Sequence, residues 1–151
     1  MIGREEKMSN DLFYLCSLIE YISRKTKNKN SSIVNKIGKE NLQKIYELAD
    51  VYHSESLENV CSELIEIFNI KNGSFDNIST CRYSIPSHFD IGKVYKRLIL
   101  GVSKDKKIDI IDALTNVYNS FVSEKIEDYN WGFYYDAPQN ILNAYIDGKI
   151  E

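Results

Sequence analysis

The segment Lys106-Lys-Ile-Asp-Ile-Ile-Asp-Ala-Leu-Thr-Asn-Val-Tyr-Asn-Ser-Phe-Val-Ser-Glu-Lys-Ile-Glu127 decides the fold class of this chain. Ile110, Ile111, Ala113, Leu114, Val117, Tyr118, Phe121 and Val122 recur at helical spacing. They cover nearly half of a helix circumference, and Asp109, Asp112, Thr115, Asn116, Asn119 and Ser123 take the rest. So wide an apolar arc predicts one long helix with more than one neighbour, the central member of a helical fold.

The same period extends outward in both directions. Upstream, Ile91, Val94, Tyr95, Leu98, Ile99 and Val102 form one face of a helix opening at His88, with Lys93, Lys96 and Arg97 opposite. Ser87 and Asp90 have the spacing of a capping box. Ser103–Lys107 reads as a charged connector in which Asp105 caps the helix that follows. Further upstream, helices are expected over Ser9–Lys25, Ser31–Ile37 and Lys39–His53, and from Leu57 to a close at Asn72-Gly73. In the first of these, Leu12, Leu15, Cys16, Leu18, Ile19 and Ile22 face inward, and Ser17, Glu20 and Arg24 lie on the other side. Residues 73–87 are irregular and read as a loop or hairpin-like excursion. Downstream, Pro138 starts a last short helix that Gly148 ends.

The predicted fold is therefore all-α: a single compact bundle of six or seven helices over residues 9–151. Residues 1–8 read as an N-terminal extension, and a subdomain break is placed near 73–87. The chain has 151 residues, 43% hydrophobic and 27% charged, with a net charge of −3, which fits one globular core and not a disordered chain. No apolar run approaches the roughly 18–20 residues of a membrane span. The first residues carry acids and no hydrophobic signal region, so a cytoplasmic protein without membrane partners is expected. The three cysteines, Cys16, Cys61 and Cys81, are widely spaced. Buried thiols in a reducing compartment are the expectation.

Charge is blocked along the chain. Residues 93–107 carry six basic groups and one acid, while residues 108–151 carry two basic groups and eight acids. Lys93, Lys96 and Arg97, together with the loop Arg24–Lys29, are the candidates for phosphate contacts, although overall acidity argues against a large nucleic-acid footprint. His53 and His88 are the candidates for acid–base chemistry with nearby carboxylates, and nothing in the sequence brings them together. Neither the histidines nor the cysteines have metal-ligand spacing, and no phosphate-binding or nucleophile motif is present, so no catalytic residue, metal or cofactor is assigned.

The segment with unusual local chemistry is Asp128-Tyr-Asn-Trp-Gly-Phe-Tyr-Tyr-Asp-Ala-Pro138, which holds the only Trp and five aromatics. Trp131, with Phe133 and Tyr134, is expected to plug the end of the bundle. Tyr134 and Tyr135 are evenly balanced between core and surface. The alternative is a recognition patch of Tyr129, Trp131, Tyr134, Tyr135 and Asp136, with Glu124, Glu127 and Asp128 completing an acidic rim.

The runs Leu12-Phe-Tyr-Leu-Cys-Ser-Leu-Ile-Glu-Tyr-Ile22, Leu48-Ala-Asp-Val-Tyr-His-Ser54 and Asp90-Ile-Gly-Lys-Val-Tyr-Lys-Arg-Leu98 resemble small uncharacterised helical proteins of low-GC bacteria. The first two runs are similar to a group associated with toxin genes of the ADP-ribosyltransferase type. The resemblance covers the first third of the chain and leaves the aromatic tract outside its pattern. It implies an antitoxin or another toxin-neutralising partner. The sequence thus predicts a non-enzymatic interaction module that binds another protein, with homo-oligomerisation left open.

Overall fold

The structure, a computed structural model, describes residues 3–150; the first two residues of the expected N-terminal extension lie outside them. The described residues form nine α-helices and no strand. They are α1 (Arg4–Thr26), α2 (Asn30–Ile37), α3 (Lys39–Glu47), α4 (Ala49–Tyr52), α5 (Leu57–Ile67), α6 (His88–Lys106), α7 (Ile110–Tyr118), α8 (Phe121–Glu127) and α9 (Pro138–Asp147). A single 3-10 turn covers Phe133–Tyr135.

The all-α class stands, but the expected count of six or seven helices is corrected to nine. Two predicted helices are each broken in two. Lys39–His53 divides at Leu48, whose backbone (φ −101°, ψ 16°) leaves the helical region. Lys106–Glu127 divides at Asn119 and Ser120. There, Asn119 Nδ2 donates to the Thr115 carbonyl at 2.9 Å, and Ser120 Oγ donates to the Val117 carbonyl at 2.7 Å. Short polar side chains that bond to nearby carbonyls compete with continuation of the helix. Hydrophobic period alone does not register that competition.

The connector expected at Ser103–Lys107 is helical up to Lys106, and α6 ends at Lys107 in the left-handed conformation (φ 56°). The cap of the next helix is Asp109 rather than Asp105, its Oδ2 accepting from Ile111 N at 3.1 Å. The capping box at Ser87 and Asp90 forms as its spacing predicts, with both reciprocal bonds at 3.0 Å.

The central helix is α1, not the 106–127 segment. It packs against α2, α3, α4, α5 and α6. Helix α6 lies along it in the opposite direction, with His88 against Tyr21 and Lys96 over Phe13. Between those contacts the two helices approach at Gly92, where a Cβ would stand well inside van der Waals contact distance of Ser17 Oγ and close to Ser17 backbone. Because α1 is enclosed, its polar side is buried too. Ser17 and Glu20, expected on the outer side, are 1% and 2% exposed.

Residues 71–82 stay close to the bundle. Gly73 N donates to the Thr26 carbonyl at 2.8 Å, and Phe75 N donates to the Lys27 carbonyl at 2.9 Å. Asn130 clamps the far side of this loop, accepting from Arg82 N at 2.7 Å and donating to the Thr80 carbonyl at 3.0 Å.

Replacing Gly92 with Ala tests the close crossing. Alanine favours a helix over glycine by about 1 kcal/mol, whereas overpacking a tight contact costs about 1–3 kcal/mol. Gly92→Ala is expected to lower the urea midpoint, by about 1–2 kcal/mol of stability. An unchanged or higher midpoint would show that the helices have room to part.

Candidate functional site

The aromatic tract leaves α8 and immediately turns inward. Tyr129 is 3% exposed, and its hydroxyl donates to Glu20 Oε2 at 2.5 Å. Arg24, one turn along α1, reaches the same carboxylate through Nε at 2.8 Å. Its Nη2 donates to Tyr129 Oη at 3.2 Å and to the Pro86 carbonyl at 2.7 Å. A buried carboxylate is tolerated only when paired and hydrogen-bonded, and Glu20 has both kinds of partner.

The other oxygen of Glu20, Oε1, accepts from Asn30 Nδ2 at 3.0 Å. Asn30 is the first residue of α2, and its backbone N–H donates to Glu127 Oε2 at 2.7 Å. Lys29 offers no side-chain cap there, so Glu127 caps α2 from another helix. This satisfies one of the free N–H groups at a helix start. Beneath Asn30, Tyr95 Oη lies 2.7 Å from Ser123 Oγ, and the Tyr95 ring stacks on Tyr118 at 4.2 Å.

Glu127 is 4% exposed. Burial raises its pKa to about 7, helped by the neighbouring Glu20 charge and opposed by the Asn30 N–H. Its Oε2 is occupied by Asn30, and no donor among the described residues reaches Oε1. The residue lines an open cavity of about 490 Å³ bordered by the 74–80 loop and the end of α8. Sequence reasoning put Glu20 on the outer side of its helix and Glu127 in the exposed acidic rim, and both are buried. A single acid within a helical period looks like a solvated position unless the enclosing neighbours are known.

The predicted recognition residues separate into two sets. Tyr129 faces inward, as does Phe133 at 6% exposure. Trp131, expected as the plug, is instead 51% exposed; it stacks on Phe133 at 5.6 Å, with Lys125 Nζ 5.3 Å above its ring. Tyr134 is half-buried and shares a cleft with Val94, Arg97 and Asp136. Tyr135 is 83% exposed and meets Tyr134 edge-on at 6.0 Å. Asp136 is exposed, and its Oδ1 receives Ala137 N at 2.7 Å and Asn140 Nδ2 at 2.9 Å at the start of α9.

The remaining candidates fall elsewhere. His53 packs on Tyr14 and His88 on Tyr21 and Phe89, so the two histidines stand at separate places along α1. Burial and then Arg24 lower the His88 pKa. His88 shares a cleft with Asp76, but that carboxylate is taken up by Ser79 and Lys27. Lys93 and Arg97 are exposed, and Lys96 lies with its ammonium 5.9 Å from the Phe13 ring. Of the basic loop, the Arg24 guanidinium is spent on Glu20, Tyr129 and the Pro86 carbonyl. Among the described residues, no three His, Cys, Asp or Glu side chains converge on a metal-sized position. No helix there is long and apolar enough to cross a membrane. Cys16 and Cys61 are buried and Cys81 is partly so, all as free thiols.

Comparison with protein-family models, with curated proteins and with solved structures gave no match.

The raised Glu127 pKa has a consequence for stability with a definite sign. The unfolded carboxyl ionises near 4.5 and the folded one near 7. The folded state therefore holds an extra proton between those values, and stability falls as pH rises through that window. The loss is about 3–4 kcal/mol at most, at about 1.4 kcal/mol per pKa unit. Glu127→Gln keeps an acceptor for Asn30 N–H and has no charge to lose. Its stability relative to wild type is expected to rise between pH 4.5 and 7.5 in urea denaturation. A difference constant with pH would contradict a buried, proton-sharing Glu127.

Proposed function

We propose that this protein is a non-enzymatic, cytoplasmic interaction module that binds another protein through the outer half of its aromatic tract. The observation that carries this reading is the exposure of Trp131 and Tyr135 on a backbone anchored from within. Tyr129 and Phe133 hold the segment to the core, and Asn130 ties it to the 80–82 loop. Exposed aromatics that are already ordered lose little freedom on binding, and Trp and Tyr dominate the energetics of protein interfaces. The rim includes Glu124, Asp128 and Asp136, all exposed. That arrangement favours a partner whose contacting surface is basic. The resemblance in the first third of the chain makes a toxin of the ADP-ribosyltransferase type the first partner to try.

A photo-crosslinking amino acid at position 135 is expected to give one discrete adduct in the source cell, and the same group at Lys36 none. Trp131→Ala is expected to weaken the isolated complex by at least 10-fold while lowering stability by only about 1–2 kcal/mol, the cost of its stacking on Phe133. The same adducts from both positions, or undiminished binding by Trp131→Ala, would refute the assignment.

A further inference from the structure

The cavity above Glu127 is not explained by the exposed aromatics, and its chemistry is specific. Three carboxylates meet it from one helix end: Glu124, Glu127 and Asp128. None of them takes part in an ion pair among the described residues. Glu127 is nine-tenths buried, keeps Oε1 without a donor and forms part of the cavity wall. Asn77 spends its Nδ2 on the Glu127 carbonyl at 2.9 Å, which leaves its own carbonyl oxygen as a further acceptor. Phe75 and Tyr129 supply ring surface. The one ammonium present, Lys29, is exposed and stands 5.8 Å from the Phe75 ring.

We propose that this cavity is a subsite for a guanidinium group, the side chain of an arginine on the protein partner. The carboxylates do not converge as metal ligands would, so the occupant is an extended cation. A guanidinium offers five donors in a plane, can serve two carboxylates at once and stacks on aromatic faces. The cavity is of ordinary ligand size, within about 300–1,000 Å³, and leaves room for backbone beside the arginine. Lys29 holds the cation position over Phe75 in the free protein and moves aside when the guanidinium enters. Three of the lining residues, Asp128, Tyr129 and Asn130, belong to the tract itself, so one partner segment can touch Trp131 and fill the cavity together.

Occupation also favours the ionised form of Glu127, so binding releases a proton and strengthens as pH rises. The titratable and charged groups around that carboxyl are Glu20 and Tyr95 below it, Lys29 at the start of α2, Glu124 and Asp128 on its own side, and Asp76 across the loop.

This inference rests on the reading of the tract as an interaction surface, and it can fail separately. The test is an amide NMR titration of the whole protein with the tripeptide Ac-Gly-Arg-Gly-NH2 at pH 8. The neutral isostere Ac-Gly-citrulline-Gly-NH2 serves as the control. Saturable shifts are expected at Phe75, Asn77 and Asn130, at least 10-fold weaker with citrulline and weaker again at pH 6. Glu127→Gln is expected to lose at least 10-fold. Glu124→Gln, at an exposed position that leaves the core intact, is expected to lose several-fold, and Lys29→Met to gain. No shifts, or equal binding of arginine and citrulline peptides, would overturn the proposal. Spermidine binding 10-fold tighter than the arginine peptide would overturn it in favour of a free polyamine. If the peptide fails while the adduct at position 135 persists, the cavity assignment falls alone. If it binds while that adduct is absent, the tract assignment falls alone.

Discussion

Asn30 stands between two buried carboxylates, and much of the structure follows from satisfying them. Its side-chain amide serves Glu20 at 3.0 Å and its backbone N–H serves Glu127 at 2.7 Å. Placing two acids in an interior is expensive, because each loses its hydration and repels the other. The chain meets that cost unevenly. Glu20 collects an arginine, a tyrosine hydroxyl and an amide. Glu127 has a single donor among the described residues and answers by holding its proton up to about pH 7. The partners come from α1, α2 and the tract, so satisfying the acids also docks these elements onto one another.

The tract is the clearest consequence. A segment of eleven residues with five aromatics would collapse onto any apolar surface if it were free. Instead, the Tyr129 hydroxyl is committed to Glu20 and Phe133 to the core, so its register is fixed. Trp131 and Tyr135 are held outward by the same register, with Tyr134 wedged against α6 between them and the bundle. Burial at one set of positions and display at the other are therefore one arrangement. The cavity beside it has the same origin. Glu127 is drawn in by the start of α2, and the 74–80 loop closes over it through Asn77.

Much of the architecture was legible in the sequence because it depends on period and capping. The apolar arcs of α1, α6 and α7 predicted their buried faces, and the Ser87/Asp90 spacing predicted the start of α6. Two helix breaks were not legible, because Asn119, Ser120 and Leu48 act through local backbone geometry within an uninterrupted apolar period. The identity of the central helix was lost for a related reason. A wide apolar arc signals contact with neighbours, but α1 is enclosed on its polar side as well. Ser17, Glu20 and Arg24 look like a solvated stripe until α6 and the tract cover them. The candidate site shared that blind spot: Tyr129 was named for its aromatic ring, whereas its hydroxyl is what fixes the tract. Glu20 and Glu127, 107 residues apart in sequence, meet only through Asn30.

The Glu20–Tyr129 hydrogen bond fastens the aromatic tract to the interior. A double-mutant cycle of Glu20→Met and Tyr129→Phe, read by urea denaturation at pH 7, measures that bond apart from the losses each substitution causes elsewhere. A hydrogen bond to a charged group is worth about 1.5–3 kcal/mol, and the account predicts a coupling energy in that range. Additivity within about 0.5 kcal/mol would contradict it and leave the tract held by ring packing alone.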